Sequence, residues 1–179
     1  MRVIAGEKKG LTLKTIEGMD TRPTLDRVKE SFFSSIQFEL KDRIVLDLFS
    51  GSGSLGIEAL SRSAKSCTFV DESKKCCDII KENLNHTGFA VKSEVIQSTI
   101  ELFLSRVSGL SPYTIVFMDP PYRMGLIQKS LDLLYDKLKK DTIIVAEYEK
   151  NAIIDLKDHY GLRKKLDYKI NEVSILVKK

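Results

Sequence analysis

The stretch that most constrains this chain is residues 44–62, IVLDLFSGSGSLGIEALSR. Ile44, Val45, Leu46 and Leu48 read as a buried strand, interrupted only by Asp47. A glycine-rich turn follows, and a helical pattern begins near Ser54. Gly51, Gly53 and Gly56 fit GxGxxG, the spacing that lets backbone approach a nucleotide-like ligand and lets a helix pack closely on a sheet. Dinucleotide enzymes use that pattern too. Asp47 separates the two readings, because a dinucleotide loop seats a pyrophosphate on the helix N-terminus and a carboxylate at the strand end repels it. S-adenosylmethionine carries a sulfonium and an ammonium, which the same carboxylate attracts. The loop therefore favours S-adenosylmethionine over NAD.

Around this unit, strands and helices alternate. After Pro23, with Thr24 as N-cap, Leu25, Val28, Phe32 and Ile36 recur at helical spacing, leaving Arg27, Lys29 and Glu30 on the exposed face. Strands are expected at 67–70, 91–96, 113–118 and 142–146, and helices at 73–84, 100–107 and 125–138. Such alternation predicts an α/β fold, a mostly parallel sheet with helices on both faces. Residues 163–168 and 173–177, around Lys169-Ile170-Asn171, read as an antiparallel C-terminal edge hairpin. Residues 1–20 read as a small N-terminal β-hairpin turning at Gly6-Glu7-Lys8-Lys9-Gly10. The expected organisation is that hairpin as an appendage (1–20) and one domain over 21–179, as the length of 179 residues suits.

In an open α/β sheet, ligands bind beyond the carboxyl ends of the strands. The informative residues are then Asp47, Asp71, Ser98-Thr99 and Asp119, all on one edge. Asp71 lies twenty residues after Gly51, where a carboxylate accepts both hydroxyls of a ribose. Asp119-Pro120-Pro121-Tyr122 is the most specific feature. Two prolines in succession fix φ twice and remove two donors, giving a rigid turn with outward carbonyls. An amine conjugated to a base is a poor nucleophile, since its lone pair is delocalised into the ring. The Asp119 carboxylate and the Pro120 carbonyl can accept its two hydrogens and stabilise the positive charge that grows on nitrogen during attack. Tyr122 offers a face for stacking the base.

Several classes are disfavoured. Cys67, Cys76 and Cys77 have no CxxC spacing and are accompanied only by His86 and His159, so packed, reduced thiols, surface histidines and no metal are expected. No apolar run approaches ~18 residues, and MRVIAGEKKG lacks a signal-peptide core, which predicts a cytosolic protein away from membranes. The net charge of +4 permits a nucleic-acid partner without requiring one. Arg2, Lys8, Lys9 and Lys14 make phosphate contact one reading of the hairpin, a solvated ribbon being the other. Glu147 borders the expected edge but is read as capping the turn after its strand, and Arg163, Lys164 and Lys165 as a solvated edge or an extension of a basic surface.

On this layout the [DN]PP[YF] motif resembles the amino-group class of S-adenosylmethionine-dependent methyltransferases, which implies a Rossmann-like class I fold. RVIAGEKKGLTL, RPTLDRVKESFF, DLFSGSGSLGIEALSR and VFMDPPY together resemble the RsmD family across essentially the whole chain. That resemblance implies methylation of a guanine N2 in small-subunit (16S) ribosomal RNA. It implies that Asp47, Phe49, Gly51, Gly53, Asp71 and Thr99 hold the cofactor and that Asp119 to Tyr122 form the catalytic loop. Arg22, Thr24 and Arg27 would then border the active-site mouth and, with Arg2, Lys8 and Lys9, contact RNA. The expected enzyme is a monomer acting on RNA within an assembling small subunit. Two positions depart from the family: Ser63-Ala64 stands where relatives have Gly-Ala, which alters a helix C-terminus, and Ser98-Thr99 stands where many relatives place Asp or Asn toward the adenine amino group. The alternatives are a DNA adenine-N6 or cytosine-N4 methyltransferase, for which the chain leaves no room for a sequence-reading domain, and a non-catalytic RNA-binding assembly factor on the same fold.

Overall fold

The computed structural model describes residues 1–16, 23–122 and 125–179. The seven strands form one sheet in the order β3-β2-β1-β4-β5-β7-β6. They are β1 (Ile44–Leu48), β2 (Ser66–Asp71), β3 (Ser93–Gln97), β4 (Ile115–Met118), β5 (Ile143–Glu149), β6 (Tyr160–Asp167) and β7 (Asn171–Lys178). The first five run parallel, while β7 pairs antiparallel with both β5 and β6. The order reverses direction between β1 and β4, so the carboxyl ends of these two strands open onto the switch point of the sheet. The helices are α1 (Pro23–Ser35), α2 (Ser54–Ser61), α3 (Lys74–Thr87), α4 (Ile100–Arg106) and α5 (Leu126–Leu134). None of them is long and apolar enough to cross a membrane.

Residues within each central strand alternate between two cores, as a sheet buried on both faces requires. On one face Val45, Phe69, Phe117 and Val145 pack with Phe32 and Phe33 of α1, Ile57 of α2 and Ile80 of α3. On the other, Leu46, Val70, Met118 and Ile144 pack with Phe103 and Leu104 of α4 and Leu131 and Leu134 of α5. Cys67, Cys76 and Cys77 are free thiols packed inside.

Several elements differ in detail from the sequence reading. The first helix starts at Pro23, so Thr24 lies inside its first turn; a proline's fixed φ and missing N–H suit the first helical position. Residues 90–92 form a short 3-10 turn before β3, leaving Val91 exposed rather than in the strand. The helix after Gly125 is shorter than the apolar pattern suggests, ending at Leu134, although Leu138 is still buried by the following turns. Lys29, expected on the solvent face of α1, is 4% exposed. Its ammonium donates to the Arg2 carbonyl at 2.7 Å and pairs with Glu58 at 3.3 Å.

That last correction comes from the N-terminal segment, which covers α1 and α2. The segment has one antiparallel bridge, Arg2↔Thr12, and buries Val3 and Leu13 in the same core as α1. Side chains of the domain hold its backbone. Glu58, fully buried on α2, accepts the amides of Ile4 (2.7 Å) and Ala5 (3.0 Å) as well as Arg62 Nε (2.8 Å). Ser61 Oγ donates to the Ala5 carbonyl at 2.6 Å, and Asn83 of α3 brackets Lys14 through both its amide N–H and its carbonyl. Helix α2 ends in a Schellman turn, with Ser63 N–H to the Leu60 carbonyl (3.1 Å) and Ala64 N–H to the Ala59 carbonyl (3.0 Å). Ser63 therefore sits at φ +74, the left-handed conformation that favours glycine.

Candidate active site

The carboxyl end of β1 runs into a loop held from three sides. Ser50 Oγ donates to the Asp47 carbonyl at 2.6 Å and accepts the Val70 amide at 3.0 Å, fastening the loop to β2. The Gly51 amide donates to Asp71 Oδ2 at 2.8 Å, while Asp71 Oδ1 takes the Ser73 amide at 2.9 Å. Asn83 Nδ2 donates to the Ser52 carbonyl at 2.9 Å, so the same amide group fixes both the loop and the N-terminal segment. Phe49 is forced to φ +60, a strained setting for a bulky residue and one that concentrates at functional loops. Gly56 is required by packing: a Cβ there would lie 2.3 Å from Phe69 Cε1 and 2.6 Å from Cys67 Sγ, so only glycine lets α2 close on β2.

Asp47 is buried and accepts the Gly56 amide at 2.9 Å, at the third residue of α2. Burial pushes its carboxyl up to about 8, the Asp71 charge adds to the rise, and the Gly56 hydrogen bond opposes it. Asp119 follows β4 directly, and Glu147 lies in β5 on the neighbouring strand; the last paired residues before them are Met118↔Ala146. Glu147 does not cap a turn. The strand continues to Glu149 because β7 pairs with it as far as Asn171, and period-two alternation after Val145 turns Glu147 to the α1 face. There Glu147 Oε1 accepts Tyr122 Oη at 3.3 Å and Asn171 Nδ2. Asp119 and Glu147 line one half-open cleft with Phe32, Ser54, Leu55 and Lys29.

Loss of water raises the Asp119 carboxyl well above its ordinary range, and the charges of Glu147 and Asp47 raise it further. Asp119 is exposed, so water screens much of the first effect and the repulsion is the firmer cause. Glu147 is raised by burial, against the hydrogen bonds from Asn171 and Tyr122. Lys29, in the same cleft, is lowered by burial and held up by Glu58. The geometry is a row of acids across the carboxyl ends of β1, β4 and β5, and the Lys29 ammonium of the same cleft is paired with Glu58 instead. Such a row suits a cationic ligand, whose charge would relieve the repulsion.

The sequence-predicted residues separate into groups. Asp47, Phe49, Gly51, Gly53 and Asp71 lie together at the ends of β1 and β2. Thr99 lies at the adjoining end of β3, where its Oγ1 accepts the Leu102 amide at 3.2 Å and caps α4. Asp119, Pro120, Pro121 and Tyr122 follow β4, with Tyr122 38% exposed and tethered through its hydroxyl. Arg2, Lys9 and Arg27 line a second groove that shares Met1 and Asp26 with the cleft. Arg2 pairs with Asp26 at 3.1 Å, and Lys8 pairs with Glu7 at 2.9 Å, away from that groove beside the Phe89 ring. Arg22 and the Thr24 side chain lie outside the described residues. Along the β6 edge, Arg163 pairs with Glu39 and Lys165 with Glu172. His86 is exposed, and His159 stacks on Tyr135 with ring centroids 3.5 Å apart. Among the described residues no group of three or more His, Cys, Asp or Glu is placed to hold a metal ion. Sequence reasoning missed Glu58 and Asn83, placed Lys29 in solvent and read Glu147 as a turn cap. For Glu147 a signal existed, an acid at the end of an apolar parallel strand, as at Asp47 and Asp71.

Residues 1–177 match the family described as "Conserved hypothetical protein 95". The protein of Escherichia coli named ribosomal RNA small subunit methyltransferase D is 36% identical over 151 residues, covering 83% of this chain and 75% of that protein. The Haemophilus influenzae protein of the same name is 35% identical over 167 residues, covering 92% and 86%. Among solved structures, Escherichia coli YhhF superposes with a TM-score of 0.89 at 29% identity, covering 100% of this chain and 98% of that one. An RNA methyltransferase of Salinibacter ruber, solved with S-adenosyl-L-homocysteine, shares the fold with a TM-score of 0.66 at 17% identity, covering 89% and 94%.

Proposed function

The chain belongs to the family described as "Conserved hypothetical protein 95", the RsmD family of ribosomal RNA methyltransferases, and from that premise we propose that it methylates the exocyclic N2 of a guanine in small-subunit ribosomal RNA. The observation that carries the proposal is the Asp119-Pro120-Pro121-Tyr122 turn at the end of β4, beside the glycine loop and the row of acids. In this reading Asp47, Phe49, Gly51, Gly53, Asp71 and Thr99 hold S-adenosylmethionine. The donor set fits that group: the carboxyl of Asp47, raised by burial, suits its ammonium and sulfonium, and Asp71 at the end of β2 suits a ribose. When bound, the cofactor supplies an electrophilic methyl group on positively charged sulfur.

The chain's own residues orient the amine. The Asp119 carboxylate and the Pro120 carbonyl accept its two hydrogens, which turns the nitrogen lone pair away from the ring and stabilises the positive charge forming on nitrogen. Tyr122, fixed through its hydroxyl to Glu147, gives the extruded base a ring to stack on, worth ~1–3 kcal/mol. Holding amine and methyl in line supplies the remaining acceleration without a covalent enzyme intermediate. Arg2, Lys9 and Arg27 border the groove that leads to this cleft, the route along which an RNA backbone would run. The substrate we expect is an assembling small subunit, since the basic surface on the chain itself is small. Equal activity on naked RNA would count against that part.

The test is methyl transfer from labelled S-adenosylmethionine to small subunits from cells lacking this protein, with digested nucleosides identified by mass. Label in N2-methylguanosine, lost in Asp119→Ala with cofactor binding retained, is the expected result. Label in N6-methyladenine, or none with cofactor bound, overturns it.

A further inference from the structure

We propose that Glu147 is the residue that selects guanine, by accepting the N1–H of the base whose N2 amine Asp119 holds. This rests on the reading of the site given above and adds a specificity determinant to it. Guanine carries N1–H and N2–H₂ on adjacent nitrogens, joined through one ring carbon, so its edge offers donors side by side. Adenine and cytosine instead place a bare ring nitrogen, an acceptor, next to their exocyclic amine. A site that chooses guanine at an amine-orienting acid needs a second acceptor one position along, and a carboxylate there repels the lone pair of the other bases.

The fold supplies that acceptor. Asp119 and Glu147 come from neighbouring parallel strands directly after the paired residues Met118↔Ala146, and strands lie ~4.8 Å apart. Both side chains line the same cleft. Glu147 is held in place rather than free to swing: Tyr122 Oη and Asn171 Nδ2 both donate to its Oε1. Asn171 is 3% exposed, so its amide fixes the carboxylate from inside the fold. An edge with N1–H satisfies that carboxylate; an edge with a bare nitrogen leaves it unpaired, and unpaired buried polar groups are what make hydrogen-bond specificity steep.

The experiment uses the full chain and small subunits reconstituted with RNA that carries either guanine or 2-aminopurine at the labelled position. 2-Aminopurine keeps the N2 amine but has a bare ring nitrogen in place of N1–H. The wild type should methylate guanine faster by roughly tenfold to a hundredfold, the discrimination a well-formed base contact provides. Glu147→Gln, whose amide can donate to the bare nitrogen, should lower that ratio at least tenfold, both bases being assayed at saturating cofactor. Because 2-aminopurine also lacks O6, the change in ratio between wild type and variant is the decisive quantity. Glu147→Ala, which removes the acceptor without adding a donor, should lower the ratio as well and guards against a misfolded Gln variant. An unchanged ratio in variants that still bind cofactor overturns the role of Glu147 and leaves guanine methylation standing. Absence of any N2 methylation by the wild type overturns the functional reading itself, and this inference with it.

Discussion

Replacing Asp47 with asparagine should change how the ligand-free protein responds to pH more than how stable it is at any one pH. The Asn side chain keeps an oxygen for the Gly56 amide, so the bond at the start of α2 survives. What disappears is a titration. The Asp47 carboxyl lies near 8 in the fold against 3.8 for an unperturbed aspartate, because burial disfavours its charge. In that window the folded protein keeps a proton that the unfolded chain has released, so stability falls as pH rises from about 4 to about 8. Each pH unit corresponds to about 1.4 kcal/mol. From about pH 5 to about pH 7.5, Asp47→Asn should therefore gain about 3 kcal/mol relative to the wild type. Glu147 also titrates upward but is present in both proteins and largely cancels, whereas Asp119 loses the Asp47 contribution to its rise in the variant, a change of the same sign. Urea denaturation at a series of pH values, with m-values checked for constancy, measures the difference directly. Parallel stability curves would mean that Asp47 is already ionised in the fold, and the view of this site as acids awaiting a cation would fail.

Two further changes probe the backbone. Ser63→Gly removes a left-handed strain at the C-terminus of α2 and should stabilise by about 1 kcal/mol, raising the melting temperature by ~2–4 °C; a fall would mean the serine side chain contributes more than the strain costs. In Gly6→Ala the new methyl would lie 1.9 Å from the Ser61 carbonyl oxygen at φ +82, so the segment must lift off α2. Hydrogen exchange should then accelerate at the Glu7 and Lys8 amides, which bond to Ser61, while the amides of β4 stay protected; uniform protection throughout would refute the clamp.

The fold was legible wherever short-range pattern decides it. The strand–glycine–helix unit at 44–62 and the alternation after it required only periodicity, and the antiparallel ending followed from two apolar runs close together. What escaped depends on residues distant in sequence. Lys29 looks like a solvated helix position until residues 1–14 are laid over it. Glu147 looks like a turn cap until β7, which comes later in the chain, extends β5 past it. The start of β3 was misplaced because Val91 has the composition of a strand residue but no neighbour to cover it. Within the candidate site, Asp47, Asp71 and Asp119 were visible because each ends an apolar run. Asn83 was not, since a polar residue inside a helix gives no hint that its amide reaches two separate backbones.

The bracketing of Lys14 by Asn83 also bears on how this protein is born. The two residues are 69 positions apart, and Ile4 waits 54 positions for Glu58. At synthesis rates of ~5–20 residues per second, Lys14 is made roughly 3–14 s before the Asn83 that brackets it. For that interval the segment is held by α2 alone, its lysines trail beside the ribosome's own RNA, and the stretch around Lys14 is secured only after α3 has emerged. A nascent chain halted before Asn83 should carry a protease-sensitive N-terminus, and one released after it should not.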